Sequence, residues 1–287
     1  MPELPEVEIV KRSLSKMINK AKILGIKINN KNLRYKIPQE MQKELFNNQI
    51  IKISRKSKYL IIHFKKKFLI VHLGMTGKFL VKKIKNNEMF KTSFYYDLNI
   101  LPQHNHIIFT LNNGLVLIYN DVRRFGFFQL FKNTKLNDIK FLKKLGPEPL
   151  SLSFNINYVK KYLKKRNKNI KNLLMDQTFV CGLGNIYVNE ALFLSKIHPL
   201  RQCSNLERKS IKNLIYNIRK VLKIAINQGG SSIRDFKNVY GKSGNFQQFF
   251  NVYGQENKNC SRISCKGKIK KISISNRSSF YCNKCQK

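Results

Sequence analysis

Hydrophobic positions at the start of the chain recur every three to four residues. Val7, Val10, Leu14 and Met17 fall on one face of a helix over 5–19, with Pro5 in its first turn and Glu6 and Glu8 near its positive end. The period then shortens to two. Segments 50–54, 59–64 and 68–73 read as strands, and 107–111 and 115–119 as the arms of a hairpin turning through Asn112-Asn113-Gly114. The first half is therefore predicted to be a β-sandwich with a helix packed on it. Gly146-Pro147-Glu148-Pro149 reads as a linker, and beyond it the period is helical again. The clearest helix covers 204–228, with Ser204 and Glu207 as a capping box at one end and Gly229-Gly230 as a stop at the other. Near the end, Ile272 and Ile274 alternate with serine before Arg277, as in a short hairpin.

The 287 residues, 42% of them hydrophobic, suffice for two compact domains. No apolar run approaches the roughly 20 residues of a membrane span, and MPELPEVE carries acids where a signal peptide needs cations. A soluble cytoplasmic monomer is expected. Lys and Arg number 56 against 15 Asp and Glu, a net charge of +41. Such an excess favours a polyanionic partner over a small anion, although only 12 of the 56 are Arg. The rest are Lys, which A/T-rich codons supply along with Asn and Ile.

Four of the six cysteines, Cys260, Cys265, Cys282 and Cys285, crowd the last 28 residues as C-x4-C-x16-C-x2-C. Thiolates two to four residues apart form a knuckle offering two ligands to one tetrahedral ion, and the second knuckle completes the shell. Adventitious thiols or two disulfides are the alternatives. In a chain expected to be cytoplasmic, one structural Zn2+ is the better reading, on a hairpin too small to hold its shape without metal. Cys181 and Cys203 have no ligand-spaced neighbours and read as ordinary buried thiols.

Acids are scarce, yet three of the ten glutamates, Glu3, Glu6 and Glu8, lie within the first eight residues. The helix dipole accounts for Glu6 and Glu8 but less well for Glu3, which precedes Pro5. Pro2 suggests more. Removal of Met1 before so small a residue leaves a secondary amine beside carboxylates, and such an amine can form an iminium with an electrophilic sugar carbon.

The strings MPELPEVE, Lys58-Tyr59-Leu60, His72-Leu73-Gly74-Met75-Thr76-Gly77, Asp121-Val122-Arg123-Arg124-Phe125-Gly126 and Gly184-Asn185-Ile186-Tyr187, followed by the cysteine tail, stand in order along the whole chain. Together they resemble bacterial formamidopyrimidine-DNA glycosylase. Leu4 stands where the related endonuclease VIII branch, acting on oxidised pyrimidines, typically has glycine. Two departures from the pattern are Val122, where proline is usual, and the four-residue spacing of the first knuckle.

The resemblance implies an α+β fold: an N-terminal β-sandwich with a catalytic helix over 1–145, a linker over 146–153, a helix-two-turns-helix DNA-binding module over 154–230, and a lesion-recognition loop and zinc finger over 231–287. It implies that oxidised purines or abasic sites in double-stranded DNA are processed through a Pro2 Schiff base, with β,δ-elimination of the strand. Glu3 would relay protons at the sugar, Glu6 would hold the terminal amine, and Lys58 would contact phosphate and move a proton during elimination. Asn185 and Arg277 would grip the flanking phosphates, with His72, His104 and Arg166 as further DNA contacts. Met75, Arg123 and Phe125 would fill the gap left by the extruded base; core packing is the ordinary alternative for Met75 and Phe125. Ser231, Ser232, Arg234 and Gly241 would belong to the lesion-recognition loop. A rival from another class, a zinc-stabilised DNA binder without catalysis, leaves Pro2, Glu3 and Glu6 without a purpose.

Overall fold

The computed structural model describes residues 1–86, 88–90, 101–164, 166–231 and 248–287. They form two compact units, 1–143 with 228–231 and 144–227 with 248–287. Among the described residues no helix is long and apolar enough to cross a membrane.

The first unit opens with α1 (Leu4–Ile18), whose Val7, Val10 and Leu14 are buried as the period required; Ile18 fills the last buried position, and Met17 is half-buried against the core. Two antiparallel sheets follow. One has the order β1 (Ile23–Ile28), β7 (Asn105–Leu111), β8 (Leu115–Asn120), β5 (Lys78–Lys83) and β6 (Met89–Phe90). The other runs β2 (Lys52–Lys56), β3 (Tyr59–Phe64), β4 (Lys67–His72) and β9 (Phe127–Lys132). Alternating residues such as Leu60, Ile62, Leu69, Val71 and Phe128 from the second sheet meet Phe79, Val81, Phe109 and Leu117 from the first, giving a sandwich core. The 107–111 hairpin was legible because Gly114, at φ +76°, supplies the left-handed residue of its turn. Strands β1, β5 and β9 were not read from the sequence, because Lys and Gln interrupt their alternation. A short helix, α2 (Met41–Leu45), is stapled to β4 and β9 by Glu44, whose carboxylate meets Lys67 and Lys132 at 2.9 and 2.8 Å. A one-turn helix, α3 (Lys140–Lys143), ends the unit.

The second unit is helical, with α4 (Ile156–Leu163), α5 (Ile170–Met175), α6 (Asn185–Leu194) and α7 (Arg208–Asn227) around one apolar core. The predicted helix over 204–228 starts late. Cys203–Asn205 forms a 3-10 turn, the Ser204 hydroxyl bonds the neighbouring Asn205 side chain, and the Glu207 carbonyl accepts the first helical N–H, from Ile211. No Ser204 capping box forms. Strands β10 (Ile269–Ile274) and β11 (Arg277–Cys282) make the terminal hairpin, turned by Ser275 and Asn276 at φ +48° and +58°.

The segment leading into that hairpin hangs on one carboxylate. Glu190 of α6 is 1% exposed and accepts N–H groups from Asn251, Val252 and Tyr253 and from the Asn251 amide, at 2.9–3.0 Å. Burial pushes its pKa up against the pull of these donors. In Glu190→Gln an NH2 group must face N–H donors, so urea denaturation should show a loss of about 2–3 kcal/mol.

Candidate active site and cysteine cluster

Pro2, Glu3 and Glu6 are all buried at the start of α1. Glu3 takes the extended cap position, and its N–H donates to Glu6 Oε2 at 2.8 Å. Glu6 Oε1 accepts both the N–H and the hydroxyl of Ser231 at 2.9 Å. The chain reaches it by bending through Gly229 and Gly230, at φ +79° and +82°; a Cβ on Gly230 would lie 3.2 Å from the same oxygen. Glu6 thus holds the Glu3 backbone and the residue that opens the 231–250 segment. Glu8 has a separate task. It pairs with Arg12 at 2.9 Å and with Arg55 of β2 at 3.0 Å, and Arg55 also donates to the Ser57 carbonyl at 2.8 Å. Burial raises the Glu8 pKa, but Arg12 and Arg55 outweigh it and hold the carboxyl below its usual range. This chain of contacts ties α1 to the turn carrying Lys58, itself 6% exposed.

Met75 and Phe125 are not core residues: Met75 is half-buried and Phe125 is 42% exposed. The Arg123 guanidinium lies 4.6 Å over the Phe125 ring, neighbouring Val122 is 51% exposed, and both Arg123 and Arg124 are exposed. Asp121, fully buried, organises this region. Its carboxylate accepts the Thr76 hydroxyl, the Tyr119 hydroxyl at 3.1 Å and the Gly126 N–H at 2.8 Å. A groove of about 640 Å³ beside the loop is lined by Asn32, Arg34, Arg123, Arg124 and Phe125.

His72 ends β4, its ring stacked on Phe127 at 5.4 Å. Its Nδ1 accepts the Gly74 N–H at 3.0 Å, which leaves the proton of the neutral ring on Nε2 as a donor. Burial, with Lys58 and Arg34 nearby, pushes its pKa down to about 4. His104 is half-buried, and its carbonyl accepts the Asp121 N–H at 3.1 Å. In the second unit, Arg166 is exposed and stacks 4.7 Å over Tyr162.

Asn185, at the start of α6, donates its amide to the Ser278 carbonyl at 2.9 Å. Lys171, 1% exposed, donates to the same carbonyl and to the Ser279 hydroxyl, and Asn189 accepts the Phe280 N–H at 2.8 Å. These three side chains seat β11, the strand that begins at exposed Arg277. Part of the Asn185 amide is thereby committed within the protein. Behind them the sulfurs of Cys260, Cys265, Cys282 and Cys285 lie within 4.8 Å of one another, with pairs at 3.9 and 3.6 Å. A tetrahedral zinc with bonds of about 2.3 Å holds its sulfurs roughly 3.8 Å apart, so the cluster fits. Burial raises the Cys282 thiol, but backbone N–H groups of Cys285 and Lys284 more than offset it and hold the pKa at about 7. Burial and the neighbouring sulfurs push the Cys260 and Cys285 thiols the other way. Cys181 and Cys203 are buried thiols, as expected.

Comparison with known proteins agrees with this geometry. Residues 1–128 match the formamidopyrimidine-DNA glycosylase N-terminal domain and residues 145–237 its H2TH domain. The formamidopyrimidine-DNA glycosylase of Rickettsia felis is 43% identical over 287 residues, covering all of this chain and 98% of that one. The chain belongs to the formamidopyrimidine-DNA glycosylase family. Among solved structures, Lactococcus lactis Fpg with abasic-site DNA superposes at a TM-score of 0.85 with 36% identity over 99% of each chain. The same protein with DNA containing N7-benzyl-Fapy-dG gives 0.85 and 37% over the whole of both chains. The glycosylase fold expected from the sequence, sandwich, H2TH helices and cysteine-bearing hairpin, is the one observed.

Sequence reading missed the residues that hold the candidate site residues and the segments beside them: Asp121, Thr76, Tyr119, Arg55, Lys171 and Glu190. Asp121 and Thr76 lay inside the quoted motifs, where burial was the missing signal. Ser232, Arg234 and Gly241 lie outside the described residues.

Two measurements test the site. Chelation, or Cys282→Ala, should abolish DNA binding while the melting of the first unit is unchanged, because a metal on the four sulfurs would order only the terminal hairpin; unfolding of both units together would contradict this. His72 refuses a proton that the unfolded chain accepts at pH 6.5, so it costs stability as pH falls from 6.5 through about 4. His72→Gln should flatten that part of the urea-stability profile, and the wild-type ring should titrate below pH 5 by NMR.

Proposed function

We propose that this glycosylase excises oxidised purines, 8-oxoguanine and formamidopyrimidines, from double-stranded DNA and then cleaves the strand at the abasic site, in base excision repair. The observation that carries the reading is the buried Pro2-Glu3-Glu6 cluster in a chain of net charge +41, where electrostatics alone would place no acids. With Met1 removed, the Pro2 amine attacks C1′, the glycosidic C–N bond breaks, and the departing base takes a proton. The amine gives up its own proton, the C1′–O4′ bond breaks and O4′ is protonated, which leaves the ring-opened iminium. The iminium lets C2′ lose a proton and the C3′–O bond break, and loss of the C4′ proton then breaks the C5′–O bond in the second elimination. Glu3 relays protons at the sugar, and Lys58 assists the elimination. The Lactococcus lactis relatives were solved with abasic-site and Fapy-dG-type DNA, which supports the substrate class.

Grip and readout are separate tasks. Asn185, Arg277, His72, His104 and Arg166 contact DNA around the lesion, and one structural zinc on the four cysteines keeps Arg277 in place. Met75, Arg123 and Phe125 fill the vacated stack, with Arg123 bonding the orphaned base and Phe125 acting as a wedge. Extrusion costs a few kcal/mol, which the wedge offsets.

Borohydride should trap the protein covalently on a duplex carrying 8-oxoguanine opposite cytosine. Pro2→Gly should lose the adduct and most excision, while Glu3→Gln should bind lesion DNA and turn over at least about 100-fold more slowly. An adduct mapped to a lysine, with Pro2→Gly fully active, would sink the assignment.

A further inference from the structure

The two loops that carry the gap-filling side chains are 45 residues or more apart in sequence, yet one set of polar contacts holds both. The Thr76 hydroxyl accepts the Arg123 N–H at 3.0 Å and donates its own proton to Asp121 Oδ1. Asp121 Oδ2 accepts the Gly126 N–H at 2.8 Å and the Tyr119 hydroxyl at 3.1 Å. The Asp121 carbonyl accepts the Arg124 N–H at 3.3 Å and His106 Nε2 at 2.7 Å. Arg124 itself sits at φ +55°, a left-handed conformation that a non-glycine residue adopts at a cost. Backbone contact adds to the polar one. Gly74, next to Met75, also has a positive φ of +64°, and a Cβ there would come within 2.4 Å of the Phe125 carbonyl carbon and the Gly126 nitrogen.

We propose that Thr76 and Asp121 are positioning residues that lock the Met75 loop and the Arg123–Phe125 loop into a single wedge, so that the choice of opposite base depends on them. The inference rests on the gap-filling reading of Met75, Arg123 and Phe125. Its physical basis is reach. Arg123 is held at its own backbone by Thr76, and the oxygen that holds it is in turn fixed by a fully buried carboxylate. Hydrogen bonds to a charged group in such surroundings are stronger than neutral ones, and removing one partner leaves the other unsatisfied. Loss of the Thr76 hydroxyl therefore frees the Arg123 backbone, and an arginine free to move bonds wrong bases nearly as well as the right one. Met75 follows, because it lies between Gly74, packed on the other loop, and Thr76.

The test is the spread of single-turnover excision rates for 8-oxoguanine placed opposite each of the four bases. Thr76→Val, nearly isosteric, should narrow that spread roughly 10-fold, and Thr76→Ser, which keeps the hydroxyl, should restore it. Asp121→Asn should narrow it in the same way. Arg123→Ala should narrow it too, and adding Thr76→Val to Arg123→Ala should change it no further. If Arg123→Ala narrows the spread and Thr76→Val does not, the lock is overturned and the gap-filling reading stands. If Arg123→Ala leaves the spread intact, the gap-filling reading fails and the lock falls with it. A Thr76→Val protein with a lower melting temperature and equally slowed excision opposite every base would also overturn the proposal, since that is what a merely structural threonine does.

Discussion

Taking a carboxylate out of water is costly unless its oxygens are filled with donors, and three of the few acids in this strongly basic chain meet that condition in the same way. Glu6, Asp121 and Glu190 are each almost fully buried and each accepts backbone N–H groups from a segment without regular structure. The segments carry or adjoin the proposed site: the N-terminal residues and Ser231, the Arg123–Phe125 loop, and residues 251–253 ahead of the first cysteine knuckle. A backbone N–H is a donor that no substitution except proline removes, so the anchoring does not rest on side chains alone, and the Ser231 hydroxyl and the Asn251 amide add to it.

The second unit uses the opposite charge for the same purpose. Lys171 is buried at 1% exposure with its ammonium on the Ser278 carbonyl and the Ser279 hydroxyl, which seats β11 against α5 and α6. A lysine buried in this way contributes nothing to an outer basic surface. The net charge of +41 is therefore an overestimate of what a polyanion meets, and the basic groups open to one are exposed ones, such as Arg123 and Arg124 on their loop and Arg277 at the start of β11.

The sequence was most legible where chemistry depends on residue type at short spacing. The paired cysteine knuckles, the acids of α1 and the apolar face of the same helix could be read directly, because each is fixed within a few neighbouring residues. Long-range organisation was not. Nothing near Glu190 announces that its partners are 61–63 residues away, and nothing near Thr76 announces Asp121. Ser204 and Glu207 had the right letters for a capping box, yet a 3-10 turn at Cys203–Asn205 delays the helix to Arg208. Strand β9 was passed over although it supplies Phe127, which stacks on His72, since its Gln and Lys hide the alternation.

The terminal hairpin sets an unequal tolerance to length changes. Ser275 and Asn276 form a two-residue turn with both φ values positive, and Arg277 is the first residue after it, paired with Ile274. Side chains alternate faces along a strand, so a one-residue slip in the pairing that this turn sets would carry Arg277 to the opposite face. The four residues inside the first knuckle lie outside the paired strands, and their number can drift in evolution as long as both sulfurs still reach the cluster. The sixteen between the knuckles contain the hairpin, so an insertion there is free of consequence only where it leaves strand pairing untouched. Among homologues, gaps should therefore gather in the first knuckle and be absent from the residues around the turn.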